Sequence, residues 1–402
     1  MRKILIMILA ICLLLSLAGC TTPANNTQGS TSSSTSAEPT AEDTTVASDA
    51  DASVEQMPMV SVAVPVITQT EEAHDGTVIF NYTFQNISLI VPDPEVADKV
   101  IVDFLNRIDQ TSSNAEAIRS AAQNNYTTGA SWNPYLCQIT YDPMRIDYGV
   151  LSMFGSYASY SGTPHPETSY VSVNYDLVTG ELLSLDDILT EDASADTLYQ
   201  SVVDALTLLK EENYLYEGFE ETVNDRFSKG LAHNDAWYFS QDGLCFYFSP
   251  YEIAPYSSGV IIAEVPYDQL TGILNDAYFP AERETAAGSV DVEIFDENDL
   301  EKFTQFAEIV LAEGSDKILL HTDKSVYDIR IETGSWSSDG STFTPEHTVF
   351  AAYNLTPGDA IMVESQFKDT LPTLRLCYTT NGETVWCYIS LSDDGTVALT
   401  TD

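Results

Sequence analysis

Residues 246–270 read FYFSPYEIAPYSSGVIIAEVPYDQL and set four tyrosines among prolines and a glycine. The first residues of this stretch alternate between two sides, as in a strand with one face in the core. Pro250 and Pro255 then bracket a short, stiff turn. The pattern favours core packing for most of these aromatic side chains, Tyr251 and Tyr256 included. The alternative for Tyr251 and Tyr256 is that their rings lie at the rim of a binding surface.

Strand patterns lie on both sides of this stretch and are mixed with separate helices. Runs rich in β-branched and aromatic residues predict strands at residues 60–66, 77–91, 135–141, 145–154, 169–177, 237–239, 244–248 and 259–265. Apolar residues three and four apart predict helices from Pro94 onward and at residues 198–209 and 219–227, and Ser184 is the predicted N-cap of a further short helix. This mixture is typical of an α+β fold, in which an antiparallel sheet packs with helices.

The pattern changes after the linker-like residues 280–288. One helix is predicted at residues 300–311, and the rest of the chain alternates short strand patterns with turn signals such as Asn381-Gly382. This predicts a small, all-β, sandwich-like domain over residues 289–402. Residues 59–279 form the preceding α+β domain in this division.

The N-terminal residues predict a lipid anchor. A basic start precedes an apolar run that is short for a membrane span, and the run ends in Leu-Ala-Gly-Cys at Cys20. Small residues before a cysteine are typical of a bacterial lipoprotein signal peptide, so we expect residues 1–19 to be removed and Cys20 to carry the lipid. Residues 20–58 contain no basic or aromatic residue and predict a disordered, acidic, Ser/Thr-rich tether. We therefore expect an extracytoplasmic protein that is anchored to the cell membrane of a Gram-positive bacterium.

The chain has 16 basic and 61 acidic residues. This excess of negative charge argues against nucleic acid and against anionic lipid headgroups as binding partners. It would steer a basic protein toward the chain, and salt would weaken that attraction. An acidic surface that only keeps the protein soluble is an equally good interpretation.

Beyond the predicted signal peptide and Cys20, four cysteines remain: Cys137, Cys245, Cys377 and Cys387. None of them stands in a CxxC pair or at metal-ligand spacing from a histidine. Cys377 and Cys387 flank Asn381-Gly382, which is a strong hairpin signal. A two-residue turn would place these two cysteines on opposite faces, and a longer turn would make them neighbours. We favour the arrangement without a disulfide.

The sequence contains no recognisable catalytic motif. The five histidines form no zinc-binding pair, and the spacings of a nucleophile elbow, a glycine-rich phosphate loop and an EF-hand are missing. We therefore expect a protein that is not an enzyme, with no catalytic residues, metal or cofactor. His165 lies in a turn-rich loop between two predicted strands, where binding residues gather. A hydrogen bond that caps its own loop is the favoured role for His165, and ligand binding is the alternative.

Two landmarks resemble a known family. The first joins the loop Tyr160-Ser161-Gly162-Thr163-Pro164-His165 to YDLVTGELLSLDDIL at residues 175–189, and the second is residues 246–259 of the opening stretch. Over about residues 60–274 the chain resembles the RsiV-like extracellular domain of a lysozyme-sensing anti-sigma factor of Gram-positive bacteria. The same domain precedes the catalytic domain in some peptidoglycan deacetylases. The resemblance implies an α+β domain that binds a ligand at the cell wall, which is lysozyme in the best-understood relative.

The chain also departs from that family. We expect it to lack the cytoplasmic sigma-binding segment and the membrane-spanning helix of the sensor, and the catalytic domain of the deacetylases. Residues 162–165 read Gly-Thr-Pro-His, whereas Gly-Gly-Ala-His is common in the family.

These observations predict a non-catalytic binding module at the bacterial cell envelope, with lysozyme or peptidoglycan as its partner. His165, Tyr251 and Tyr256 are the candidate ligand-binding residues. Two alternatives stay open. Among 61 acidic residues, two carboxylates that are close only in space would make a wall-active hydrolase, or the chain is a structural protein of the envelope.

Overall fold

A computed structural model describes residues 58–191, 193–230, 234–281, 283, 287–367, 371–392 and 394–401. The predicted signal peptide, the lipidation residue Cys20 and the predicted tether up to residue 57 lie outside the described residues. All described residues fall in one compact unit, Glu55–Asp402. Within the described part of the chain, no helix is both long enough and apolar enough to cross a membrane.

Among the described residues, the α-helices all lie before residue 230, and strands with short 3₁₀ turns follow. The α-helices are α1 (Pro94–Asn125), α2 (Leu185–Ile188), α3 (Ala195–Leu209) and α4 (Phe219–Ser228). The strands up to the end of α4 are β1 (Ser61–Ala63), β2 (Val66–Glu72), β3 (Val78–Gln85), β4 (Ser88–Ile90), β5 (Tyr135–Ile146), β6 (Val150–Tyr160) and β7 (Glu167–Asp176). The strands that follow are β8 (Trp237–Phe239), β9 (Gly243–Phe248), β10 (Ile261–Pro266), β11 (Val290–Ile294), β12 (Gln305–Val310), β13 (Asp316–Thr322), β14 (Val326–Trp336), β15 (Phe343–Leu355), β16 (Asp359–Ser365), β17 (Leu374–Thr380), β18 (Glu383–Leu391) and β19 (Val397–Thr401). Sheets packed with a few helices confirm the predicted α+β class.

Two sheets form a sandwich around one core. A seven-stranded sheet has the order β19-β18-β17-β14-β15-β1-β4, and a four-stranded sheet has the order β11-β13-β16-β12. Their facing side chains include Ile329 and Phe350 from the larger sheet and Ile318, Ile361 and Val363 from the smaller one, all fully buried. Alternation along each strand places these apolar residues on one face, which is why the two sheets pack against each other.

The seven-stranded sheet contains strands from both sides of the predicted linker at residues 280–288. Strand β1 pairs antiparallel with β15, with Ser61 opposite Ala352, and with β4 on its other side. The sandwich over residues 289–402 therefore takes two of its strands from the N-terminal part of the chain.

A five-stranded sheet with the order β2-β3-β5-β6-β7 packs with α1 against the other face of β1 and β15. Helix α1 begins where it was predicted, because Asp93 accepts a hydrogen bond from Glu95 N at 2.9 Å and Pro94 has no N–H to leave unpaired. The predicted apolar stripe of Val96, Val100 and Phe104 continues through Ile108, and these residues are buried.

Residues 185–279 form a further layer in which α2, α3 and α4 pack on the three-stranded sheet β10-β9-β8. The predicted cap of α2 is confirmed, because Ser184 N and Ser184 Oγ both donate to Asp187 Oδ2, at 2.8 and 2.6 Å. The other face of this small sheet, with Tyr238 and Tyr247, packs on Phe154 and Tyr170 of the five-stranded sheet.

The helix predicted at residues 300–311 is wrong. The structure has a 3₁₀ turn at Glu297–Lys302 followed by β12. Ala307 and Ile309 are buried and alternate with the exposed Glu308, which is the two-residue period of a strand. Short apolar runs do not distinguish the two elements, and parallel pairing with β16 decides in favour of the strand.

The hairpin around Asn381-Gly382 has the two-residue turn. Cys377 lies opposite Trp386, and both turn residues have positive φ, 52° and 76°, as a type I′ turn requires. Cys377 and Cys387 consequently point to opposite faces, and all four described cysteines are buried.

Candidate functional site

The structure brings the three predicted ligand-binding residues together. The ring centroid of Tyr256 lies 5.8 Å from that of His165 and 5.5 Å from that of Tyr251. His165 comes from the loop between β6 and β7, whereas the two tyrosines follow β9 in the chain. We call these three residues the aromatic cluster.

The aromatic cluster is open to solvent. Tyr251 is 69% exposed and Tyr256 is 49% exposed, and His165 is exposed as well. The favoured expectation of core packing is therefore wrong for Tyr251 and Tyr256, although it is right for Phe246 and Phe248, which are fully buried. The difference arises because β9 ends at Phe248, so the two-sided pattern of the strand does not extend into the turn.

A left-handed backbone at Tyr251 turns the ring outward. Tyr251 has φ of 71°, which costs a side-chain-bearing residue roughly 1–2 kcal/mol. The conformation is held because Tyr251 N donates to Ala254 O at 3.0 Å and Ile253 and Ala254 are buried. Strain of this kind persists only where the surroundings fix it, and it concentrates at functional sites.

Arg226 of α4 stabilises the turn that carries Tyr251. Its Nη1 donates to Tyr247 O at 2.9 Å, its Nη2 donates to Glu252, and its guanidinium lies 4.2 Å from the centroid of the Phe248 ring. Glu252 also accepts a hydrogen bond from Ser249 N at 2.9 Å. The turn that carries Tyr251 is therefore bonded to a helix through its own side chains. Nothing in the sequence pattern indicated this role for Arg226.

Two further tyrosines lie beside the aromatic cluster and were missed by the sequence analysis. Tyr214 is 74% exposed and Tyr216 is 42% exposed. Their segment is bonded to the cluster's turns, because Ser258 Oγ donates to Asn213 O and Tyr216 N donates to Ile253 O, both at 2.9 Å. The loop of Tyr214 and Tyr216 is therefore hydrogen-bonded to the segment that carries Tyr251 and Tyr256, although these loops are distant in sequence.

His165 makes the hydrogen bond that was expected of it. Its Nδ1 lies 3.1 Å from Pro166 O, and Thr163 Oγ1 donates to His165 O at 2.8 Å. The loop therefore caps itself, and the same contacts fix the imidazole where it meets Tyr256. His165 therefore both stabilises its own loop and lies beside Tyr256.

Carboxylates flank the loop that carries Tyr214 and Tyr216. Glu211 and Glu212 precede the two tyrosines, Glu217 and Glu221 follow them, and all four glutamates are exposed. Exposed tyrosine faces flanked by carboxylates suit a cationic group, which the ring quadrupole and the carboxylates both attract. Within the part of the chain that the structure describes, no group of three or more His, Cys, Asp or Glu side chains is placed to hold a metal ion.

A protein-family model described as "Protein of unknown function (DUF3298)" matches residues 186–268. The matched segment includes Tyr251 and Tyr256, whereas His165 precedes it. Two solved structures of this family are similar to the chain. One, from Bacteroides fragilis, has 19% identity and a TM-score of 0.38 and covers 54% of this chain and 94% of its own. The other, from Pseudomonas aeruginosa PAO1, has 14% identity and a TM-score of 0.40 and covers 57% of this chain and 99% of its own.

Among curated proteins the comparison gives no match. The RsiV-like resemblance is compatible with the matched domain and stays a prediction. The chain carries a DUF3298 domain at residues 186–268.

Proposed function

We propose that this chain is a lipid-anchored, non-catalytic binding module of the bacterial cell envelope, and that the aromatic cluster with Tyr214 and Tyr216 is its ligand-binding surface. The observation that supports this most is the exposed ring of Tyr251, held by a strained backbone beside Tyr256 and His165. A ring that is fixed before binding loses little conformational entropy when a partner covers it.

The partner that this surface fits is a basic protein. The chain carries 61 acidic against 16 basic residues, so a cationic partner is steered toward it from a distance. At short range, lysine or arginine side chains of the partner meet tyrosine faces rimmed by glutamates. Lysozyme, a basic muramidase, is the sharpest candidate, and the RsiV-like resemblance points the same way.

Binding of lysozyme to the purified full-length protein tests the proposal. We expect retention in a pull-down at low salt that weakens at moderate salt, because exposed charges are screened. Tyr256→Ser and His165→Ala should each weaken binding by about tenfold or more, the usual effect of removing a central aromatic contact. Val178→Ser is the matched control, since Val178 is 72% exposed in the turn after β7.

Retention at neither salt concentration would end the lysozyme version of the proposal. Binding to purified peptidoglycan instead, lost in the same two variants, would make a wall component the ligand of the same surface. Hydrolysis of wall fragments by the protein, abolished by a single carboxylate substitution, would replace the binding module with an enzyme.

A further inference from the structure

A groove opens at one side of the sandwich, and none of its lining residues belongs to the aromatic cluster. It has a volume of about 430 Å³ and lies between β12 on one side and β1 and β4 on the other. Small side chains form its floor, with Ser61 and Ala63 from β1 and Ala307 from β12. Among the described residues, the seven-stranded sheet ends at β4 and the four-stranded sheet ends at β12, so the groove separates two sheet edges.

Some backbone N–H and C=O groups of β12 face this groove and not β16. Gln305 N donates to Gly358 O at 3.5 Å, and Leu311 N donates to Glu364 O at 2.9 Å. In a parallel pair, alternate residues direct both N–H and C=O toward the same neighbour. The odd-numbered residues of β12 therefore bond to β16, and the N–H and C=O groups of Phe306, Glu308 and Val310 face the opposite side. All three residues line the groove.

The two sheets differ in width, with seven strands against four. Ala63 of β1 and Ile90 of β4 belong to the core between the sheets and also line the groove beside β12. A strand placed 4.7–4.9 Å from β12 would extend the four-stranded sheet across these side chains. We propose that this edge binds an extended peptide segment of a partner protein, which adds to the sheet as a fifth strand next to β12.

The side chains of the groove define the chemistry of that segment. Side chains on its inward face meet Ser61, Ala63 and Ile90, so they must be small and apolar. Side chains on its outward face lie beside Glu308, which is exposed, so a basic residue fits there. The segment therefore alternates small apolar with basic residues.

A second copy of this chain is the poorer occupant. Antiparallel pairing of β12 with its own copy would bring two Glu308 carboxylates to one edge, and like charges across a strand pair are destabilising. Each copy would also carry a formal net charge of −45, which opposes self-association.

The test uses the full-length protein and the labelled peptide Lys-Val-Lys-Ala-Lys-Val-Lys, followed by fluorescence anisotropy. Two derivatives carry N-methyl groups, one on the lysines and the other on the valines and alanine. Only one of the two sets of peptide N–H groups can face β12, since the other set points to the open side. We expect one derivative to bind roughly tenfold more weakly than the other, the effect of losing about 1.4 kcal/mol of backbone hydrogen bonding. Equal affinities of the two derivatives would overturn the proposal, because charge attraction alone does not distinguish them.

Protein variants place the site on β12. Glu308→Pro removes one N–H that faces the groove and no hydrogen bond to β16, and proline is tolerated at such edge positions. Glu308→Lys keeps the backbone and reverses the charge. Both variants should bind the peptide about tenfold more weakly than Asp291→Lys, a matched control at an exposed acid on β11, the opposite edge of the same sheet. Unchanged binding in both Glu308 variants would overturn the proposal, as would a dimer in sedimentation velocity that Glu308→Pro dissolves. Neither result bears on lysozyme binding by the aromatic cluster.

Discussion

His347 and Asp142 join the two largest sheets of the molecule. His347 Nδ1 on β15 lies 3.4 Å from Asp142 Oδ1 on β5, and the same carboxylate oxygen accepts a hydrogen bond from Thr348 N at 2.9 Å. The contact thus ties the seven-stranded sheet to the five-stranded sheet at a partly buried position. It places a titratable group between layers that were predicted to be separate domains.

Stability should fall as pH rises above the ordinary range of histidine. The adjacent Asp142 carboxylate raises the pKa of His347 above its ordinary value, burial opposes this shift, and the negative charge of Glu346 adds to it. A group whose pKa is higher in the folded state stabilises the protein fully below its unfolded pKa, and the contribution is lost as pH rises through the folded value. We expect the difference in the free energy of unfolding between the protein and His347→Gln to be largest at about pH 6 and to shrink toward pH 9 in urea titrations. Asp142→Asn should remove the same pH dependence. If the difference in the free energy of unfolding between the protein and His347→Gln does not change with pH, His347 is not the group responsible.

Arg145 and Asp147 form the most deeply buried ion pair that the structure records. Arg145 Nη2 lies 2.6 Å from Asp147 Oδ2, the Arg145 side chain is 1% exposed, and Nη1 donates to Tyr267 Oη and Tyr278 O at 2.7 Å each. Arg145→Met leaves the carboxylate buried without its partner and should lower the free energy of unfolding by about 3 kcal/mol or more. The double variant Arg145→Met/Asp147→Asn should recover much of that loss, because the asparagine Oδ1 can still accept from Gly149 N and Val150 N. Urea unfolding followed by circular dichroism measures the free energy of unfolding of Arg145→Met, Asp147→Asn and the double variant. If the losses of the two single variants add up to that of the double variant, the pair is not coupled.

Tyr251→Gly should separate stability from binding. Glycine adopts positive φ without strain, which stabilises the folded variant by roughly 1 kcal/mol. Glycine also gives the unfolded chain more conformational freedom, which destabilises the folded variant by a similar amount. The melting temperature should therefore stay within a few degrees of the parent, while lysozyme binding falls by about tenfold. Asn381→Gly, a substitution at φ of 52° in the β17–β18 turn, is the matched control and should leave binding unchanged. A large loss of stability in Tyr251→Gly would mean that the ring supports the fold.

The elements that a local pattern determines were predictable from the sequence, and those that depend on distant partners were not. The four-residue spacing of Val96, Val100 and Phe104 identified α1, and Asn381-Gly382 identified its hairpin, because both signals lie within a few residues. The pairing of β1 with β15 joins residues almost 300 positions apart, for which the sequence has no local signal. A helix was predicted at residues 300–311, where the structure has β12, because a short apolar run fits both the period of a helix and that of a strand.

The candidate site divides in the same way. The sequence singled out His165, Tyr251 and Tyr256 by their loops, yet the exposure of the two tyrosines depends on a left-handed residue and on Arg226 in a separate helix. The loop of Tyr214 and Tyr216 is tied to the site by two hydrogen bonds, in which Tyr216 N donates to Ile253 O and Ser258 Oγ donates to Asn213 O. Contacts between loops that are distant in sequence arise only on folding, so no local sequence pattern predicts them.

The four described cysteines should behave as thiols that the fold protects from reagents in solution. Burial is the main cause that raises the pKa of Cys137 and Cys377, and it raises the pKa of Cys245 to about 12. Because the thiolate is the reactive form, a thiol reagent at pH 8 should react very slowly with the native protein. In denaturant, Cys137, Cys245, Cys377 and Cys387 should all react under non-reducing conditions. Two missing thiols there would reveal a disulfide and contradict the opposite facing of Cys377 and Cys387.

A lipid on Cys20, as the sequence predicts, would hold the proposed surface at a membrane. Two or more acyl chains on this residue would bury many methylene groups, each contributing about 0.8 kcal/mol, and would give stable anchoring. In cells that express the full chain, we expect the protein in the membrane fraction and labelling with a fatty acid. Cys20→Ala should abolish the labelling and leave the protein with an uncleaved leader, whereas Cys12→Ala, the matched control within the leader, should change neither. Labelling that survives in Cys20→Ala would place the anchor elsewhere, and the binding surface would then need another route to the envelope.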